Sequence, residues 1–151
     1  MEVYRVSKRQ YQQDLIGTGA YLAGGRWNTM GNYMLYTAAS RSLAILEVLV
    51  HISRGRPIDD YAIIVVYVPD SLFVDSINLA VLPNNWKEEY SETQAIGNQW
   101  LRKQSSLSLK VPSALVKAEY NYLLNSGHEA FSSIKVLGYE PLRFDERFLI
   151  Q

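Results

Sequence analysis

A single carboxylate interrupts an otherwise apolar run: Glu47 stands among Leu43, Ala44, Ile45, Leu46, Val48, Leu49 and Val50. Upstream, Gly24 and Gly25 deliver Arg26 within Gly-Gly-Arg-Trp-Asn, and Tyr36 follows before the run begins. These residue types bring separable chemistries. A planar guanidinium suits bidentate contact with phosphate or carboxylate oxygens, and paired glycines let a ligand approach the backbone closely. A carboxylate withdrawn from water is costly unless a function or a partner requires its charge. Tyr36 and Ser113 add hydroxyls, although a packed aromatic and a turn residue after Pro112 account for them equally well.

The elements that must carry these groups can be read from the pattern. "SRSLAILEVLVHIS" predicts a helix capped by Ser40 and stopped by "RGRP". On that helix Glu47 shares a face with Leu43, Ala44, Val50 and His51, with Arg54 two turns away. Two readings follow. Glu47, His51 and Arg54 form a polar wedge facing water, with Glu47 paired to His51, or the helix is mostly buried and its carboxylate lines a pocket. Periodicity alone leaves both open.

Around this helix, "VYRVS" and "YMLYTA" read as strands. The glycines at 17, 19, 24, 25 and 31 predict a loop-rich excursion between them. "YAIIVVYVP" is β-branched and aromatic throughout, as expected of a strand buried on both faces. "SETQAIGNQWLRKQ" predicts a second helix opened by a Ser91–Gln94 capping box. "SLKVPSALV" and "EYNYLLN" look extended, and "IKVLGYEPLRFDERF" predicts one or two closing strands around a Gly/Pro turn. Strand runs with inserted helices, rather than regular alternation, indicate an α+β fold, here a single domain over residues 1–151.

Composition narrows the function. Fifteen basic and fifteen acidic residues leave no formal net charge, which argues against a direct grip on nucleic acid. The absence of cysteine removes thiol nucleophiles, thiolate metal sites and disulfides. His51 and His128 are far apart, so no metal is expected. The longest apolar runs are too short to span a bilayer, and "MEVYRVSKRQ" lacks the apolar core of a secretory signal. A cytoplasmic protein is expected.

Together, "YR" at 4–5, "GGRWN" at 24–28, "YTA" at 36–38, "SLAILEVLVH" at 42–51, "VPSALV" at 111–116, "EYNYLLN" at 119–125 and "FDERF" at 144–148 resemble the RES domain family, toxins of bacterial toxin–antitoxin pairs. The resemblance places the family's arginine on Arg26, its glutamate on Glu47, its serine on Ser113 and its pocket tyrosine on Tyr36. It implies an ADP-ribosyltransferase-like fold, with a central, mostly antiparallel sheet and flanking helices. It also implies NAD as substrate and an Xre-type helix-turn-helix antitoxin that covers the active site, in a complex that can be oligomeric. The loop Asn125-Ser126-Gly127-His128-Glu129 departs from the family's Asn-Pro-x-His-Pro, and no role is carried onto it.

Under that resemblance, Glu47 would stabilise the cation that develops when the nicotinamide–ribose bond breaks. Arg26, with Arg5 as a second candidate, would hold the pyrophosphate. Tyr36 would stack on nicotinamide or hydrogen-bond to the substrate, and Ser113 would hold a substrate or carboxylate oxygen. Water or phosphate as acceptor gives NAD degradation; a protein side chain gives ADP-ribosylation of a target. The rival of another class is a non-catalytic module that binds a nucleotide or a partner, with Glu47 facing water.

Overall fold

The computed structural model describes residues 1–52 and 60–148. Seven strands form one sheet: β1 (Glu2–Lys8), β2 (Leu35–Ala38), β3 (Tyr61–Tyr67), β4 (Val74–Ser76), β5 (Ser108–Pro112), β6 (Tyr120–Leu124) and β7 (Lys135–Leu142). Their order is β4-β5-β6-β2-β1-β3-β7. Every neighbouring pair is antiparallel except β4 with β5. Among the described residues three α-helices accompany the sheet: α1 (Thr18–Ala23), α2 (Arg41–Leu49) and α3 (Ser91–Lys103).

The sequence explains most of these elements. β3 is buried along its length up to Val66, as its unbroken apolar run requires when both faces are covered. α2 begins where Ser40, in extended backbone, accepts a hydrogen bond from the Leu43 N–H at 3.1 Å, satisfying a donor at the open end of the helix. The "RGRP" stop and Arg54 lie outside the described residues. The tail forms one strand, β7, with Gly138 and Pro141 inside it and an irregularity in the partner ladder between Val65 and Val66.

The expected capping box does not form. α3 starts behind Tyr90 with no side-chain cap. The Ser91 N–H donates instead to the Glu89 carboxylate at 3.0 Å. Gln94 reaches away, donating to the carbonyls of Gly25 at 2.9 Å and Asn28 at 3.3 Å. Tertiary acceptors therefore outcompete the local cap.

The core lies in three clusters. α3 contributes Trp100 and Leu101 to one, with Trp27, Trp86, Leu109 and Leu123. α2 contributes Leu43 and Ala44 to another, with Val6, Ala38, Ile63 and Phe144. The third holds Val3, Leu35, Ile64, Val66 and Leu124. Successive residues of β3 and β6 divide between clusters, as the two-residue period of a strand demands. Both helix-bearing clusters lie against the Tyr36, Ala38 and Leu123 side of the sheet.

One irregularity positions the site. β1 runs in full register with β3, from Glu2 opposite Tyr67 to Lys8 opposite Tyr61. With β2 it shares a single paired position, Tyr4 opposite Ala38. Beyond that pair the two strands part, and a large concavity opens beside the parting.

Candidate active site

That concavity has a volume of about 620 Å³ and is lined from both sides of the parting by Arg5 and Val6 of β1 and by Tyr36 and Thr37 of β2. Glu47, Val48 and His51 close one flank; Gly24, Gly25 and Arg26 form another. The volume suits a small-molecule ligand, for which pockets of about 300–1,000 Å³ are usual. Residues 26 and 47, remote in sequence, thus share one cavity. Of the polar wedge, Glu47 and His51 line it, Glu47 half-buried and His51 exposed.

Glu47 is held by one hairpin. The Asn121 Nδ2 on β6 donates to Glu47 Oε1 at 2.7 Å, and the Ser113 hydroxyl, just after β5, donates to the same oxygen at 3.4 Å. Ser113 is 4% exposed, and its Oγ accepts the backbone N–H groups of Leu115 and Val116, both at 3.1 Å. With both lone pairs occupied, its proton can only point away from the turn, toward the carboxylate. The pairing of Glu47 with His51 does not occur.

Arg26 turns toward the segment after Trp86. Its Nη1 donates to the carbonyls of Trp86 at 3.0 Å and Lys87 at 2.8 Å, and Nη2 lies 3.4 Å from the Tyr90 hydroxyl. The guanidinium also lies over the Tyr90 ring at 4.5 Å and the Trp86 ring at 5.4 Å. Much of its donor capacity is thus committed to shaping the wall. Arg5 differs: it lines the cavity, and its Nε is buried without a hydrogen-bond partner among the described residues. Burial pushes its pKa down, opposed by the charge of Asp14.

Tyr36 anchors the arginine loop. Its hydroxyl accepts the Trp27 N–H at 2.9 Å and donates to Asn28 Oδ1 at 2.7 Å. Burial pushes its pKa well up, partly offset by the Trp27 N–H and the charge of Arg26. Gly25 is required here, because a Cβ would lie 2.7 Å from the Tyr36 hydroxyl. The loop closes through a Gly25–Asn28 bridge. From behind, α3 supports it as Thr93 donates to the Arg26 carbonyl at 2.6 Å.

Several functional positions escaped the reading by residue type. Asn28, fully buried, donates to the carbonyls of Ala20, Thr29 and Asn32; its place in Gly-Gly-Arg-Trp-Asn was the available signal. Asn121 had a subtler one, a strand-averse side chain inside an aromatic strand. Thr93 and Gln94 gave none, since their partners are remote in sequence. Among the described residues, no three His, Asp or Glu side chains gather to hold a metal.

Comparison with known proteins bears on the family and the fold. The RES domain model matches residues 2–145. Toxin Res of Yersinia enterocolitica is 38% identical over 152 residues, covering 95% of each chain. Toxin Res of Photorhabdus laumondii is 35% identical over 146 residues, covering 92% of this chain and 93% of the relative. The Prs ADP-ribosylating toxin of a Sphingobium strain is 37% identical, covering 93% and 91%. Among solved structures, a chain of the MbcT–MbcA toxin–antitoxin complex of M. tuberculosis superposes with a TM-score of 0.76 at 19% identity, covering 93% of this chain and 83% of that one. The α+β, ADP-ribosyltransferase-like architecture expected from the sequence is the one found. On this match across nearly its whole length, the chain belongs to the RES domain family.

Proposed function

We propose that this protein is a toxin that consumes NAD by breaking the nicotinamide–ribose bond. The observation that carries this reading is Glu47, held by two donors on one oxygen, in a cavity that also contains Arg5, Arg26 and Tyr36. As the C1′–N bond breaks, its electron pair passes to the ring nitrogen and neutralises the pyridinium. The ribose is left with oxocarbenium character. A fixed carboxylate stabilises that charge where it develops and needs no reorganisation to do so. Nicotinamide departs as a neutral amine, so no general acid is needed at this step. Water or phosphate then attacks C1′.

The pyrophosphate requires donors, and the two arginines divide the work. Arg5 is the principal anchor, because its guanidinium is desolvated and its buried Nε has no hydrogen-bond partner among the described residues. Arg26 presents its remaining donors while holding the wall. Tyr36 contributes its ring, since its hydroxyl is committed. A second reading, ADP-ribosylation of a host protein, draws support from the relative named as an ADP-ribosylating toxin. The two share the bond-breaking step and differ in acceptor.

The match over residues 2–145 supports one functional domain for the chain. The structural neighbour comes from a toxin–antitoxin complex, which supports an antitoxin partner, in our reading of the Xre type and seated over the cavity in a complex that can be oligomeric. Tyr90, Val50 and Leu115 line the cavity and yet are 40%, 57% and 40% exposed, an apolar rim suited to such a cover. No helix among the described residues is long and apolar enough to cross a membrane. A cytoplasmic location fits a substrate found there.

Incubating the purified protein with NAD and resolving the products by chromatography tests the reading. Free nicotinamide with unlabelled protein supports degradation. Label transferred from adenine-labelled NAD to one polypeptide of a lysate favours the second reading. Intact NAD under both conditions overturns the enzyme assignment.

A further inference from the structure

We propose that Asn121 is a positioning residue for the Glu47 carboxylate, selecting Oε2 as the oxygen presented to substrate. The inference rests on the NAD-cleaving reading, with Glu47 as the group that meets the developing cation.

Both hydrogen bonds to the carboxylate fall on one oxygen. Asn121 Nδ2 and Ser113 Oγ reach Oε1 at 2.7 and 3.4 Å, while Oε2 accepts no hydrogen bond among the described residues. The shorter contact belongs to Asn121, so the amide is the firmer clamp. The two donors also differ in freedom. Ser113 is locked by its turn, with two backbone N–H groups filling its lone pairs. Asn121 projects from β6, opposite Ala38 of β2 and Val111 of β5, and so stands between two sheet neighbours. A ladder on both sides fixes its backbone far better than a loop would.

The other end of the amide strengthens the case. Asn121 Oδ1 is buried and has no hydrogen-bond partner among the described residues. Turning the amide over would set that acceptor against Oε1, two oxygens without a proton between them. The carboxylate therefore dictates the orientation, at the expense of an unsatisfied carbonyl. A residue serving only the sheet would gain nothing from such an arrangement, because any apolar side chain of similar size would avoid it. The same contact means that Asn121 acts through Glu47 and need not touch the reacting atoms.

The test uses the full-length protein carrying Asn121→Ala or Asn121→Leu, the latter close in size and unable to donate. NAD turnover is followed by release of nicotinamide. Both variants should lower kcat by about a hundredfold, the scale expected when a reacting group is misplaced by about 1 Å. KM should stay within about threefold, since ground-state binding is spared. In a Glu47→Gln background, either substitution should add little. Wild-type kcat in Asn121→Leu, or a full further loss in the double variants, would overturn the proposal. Should the wild-type protein release no nicotinamide, the NAD-cleaving reading fails by itself. Crystallography then still decides the positioning: the carboxylate must leave its single orientation in Asn121→Ala, and an unmoved Glu47 refutes the role.

Discussion

Glu47→Gln separates the charge of the glutamate from its shape. The glutamine side chain can turn its oxygen to the position of Oε1 and keep both donors, Asn121 Nδ2 and Ser113 Oγ. Its amide nitrogen then takes the place of Oε2, which accepts no hydrogen bond from the described residues. The substitution should therefore change stability by no more than about 1 kcal/mol. Catalysis should suffer far more. A unit negative charge about 4 Å from a developing cation, at the effective dielectric of a half-buried site, is worth about 4 kcal/mol. The amide dipole recovers part of that, leaving a loss of about 3–4 kcal/mol, or about 10²–10³-fold in rate. The assay is nicotinamide release under saturating NAD, with urea unfolding run in parallel to confirm the fold. Expression in a bacterial host reads the same variable, and growth arrest should be relieved at an unchanged protein level. A folded Glu47→Gln protein that releases nicotinamide within about threefold of the wild-type rate would refute the electrostatic argument.

Arg5→Met should leave the unfolding temperature equal to or above that of the wild type, because it removes a desolvated guanidinium whose buried Nε lacks an acceptor among the described residues, whereas NAD affinity should fall by about 10–100-fold with the loss of a charged hydrogen bond. Calorimetry of both properties on the same samples checks this. Tyr36→Phe removes the hydroxyl that joins the Trp27 N–H to Asn28, and urea unfolding at neutral pH should show a loss of about 1–3 kcal/mol. Its alkaline behaviour has a definite sign. The folded state raises the Tyr36 pKa, so this contribution is fully present below about pH 10, the ordinary tyrosine value, and declines as pH rises above it; the phenylalanine variant should show a shallower alkaline decline. Gly97→Ala opposes two effects, since alanine favours a helix by about 1 kcal/mol but its Cβ would run into the Trp27 carbonyl oxygen. Backbone cannot yield as a side-chain tip can, so overpacking should win, with a net loss of about 1–2 kcal/mol by urea unfolding.

How much of this was legible beforehand depended on how local each determinant is. Ser40 caps α2 with an atom three residues from its partner, and β3 announces itself through its own composition. β4 has only three residues, too few for a period to show. α1 lies inside the glycine-rich stretch read as loop, because its determinants are turns made by Gly17 and Gly24 in positive-φ backbone rather than an apolar face. The Ser91–Gln94 box failed for the opposite reason. Its local pattern was present, but Gln94 found better acceptors in the Gly25 and Asn28 carbonyls, remote in sequence. Among the site residues, types were legible and orientations were not. Nothing in the sequence around Arg26 shows that its guanidinium turns to Trp86 and Lys87, or that Glu47 is approached by Asn121 rather than His51.

The unsatisfied groups of the molecule carry the deeper physical link between fold and site. Three buried side-chain polar atoms lack hydrogen bonds among the described residues: Arg5 Nε, Asn121 Oδ1 and Ser108 Oγ. The first two belong to residues lining the same cavity. Each such atom lowers the stability of the empty protein, and an apolar replacement would relieve it. Stability alone therefore cannot account for the choice of arginine and asparagine here, although it accounts well for the leucines and valines behind them. A guanidinium with an orphaned N–H makes sense beside a ligand that brings an anion. An amide with an orphaned carbonyl makes sense if its nitrogen must serve one carboxylate oxygen. Local rules break where the ligand or the reaction supplies the missing partner. Both exceptions line the cavity beside the parting of β1 and β2, where the sheet keeps a single paired position, Tyr4 opposite Ala38.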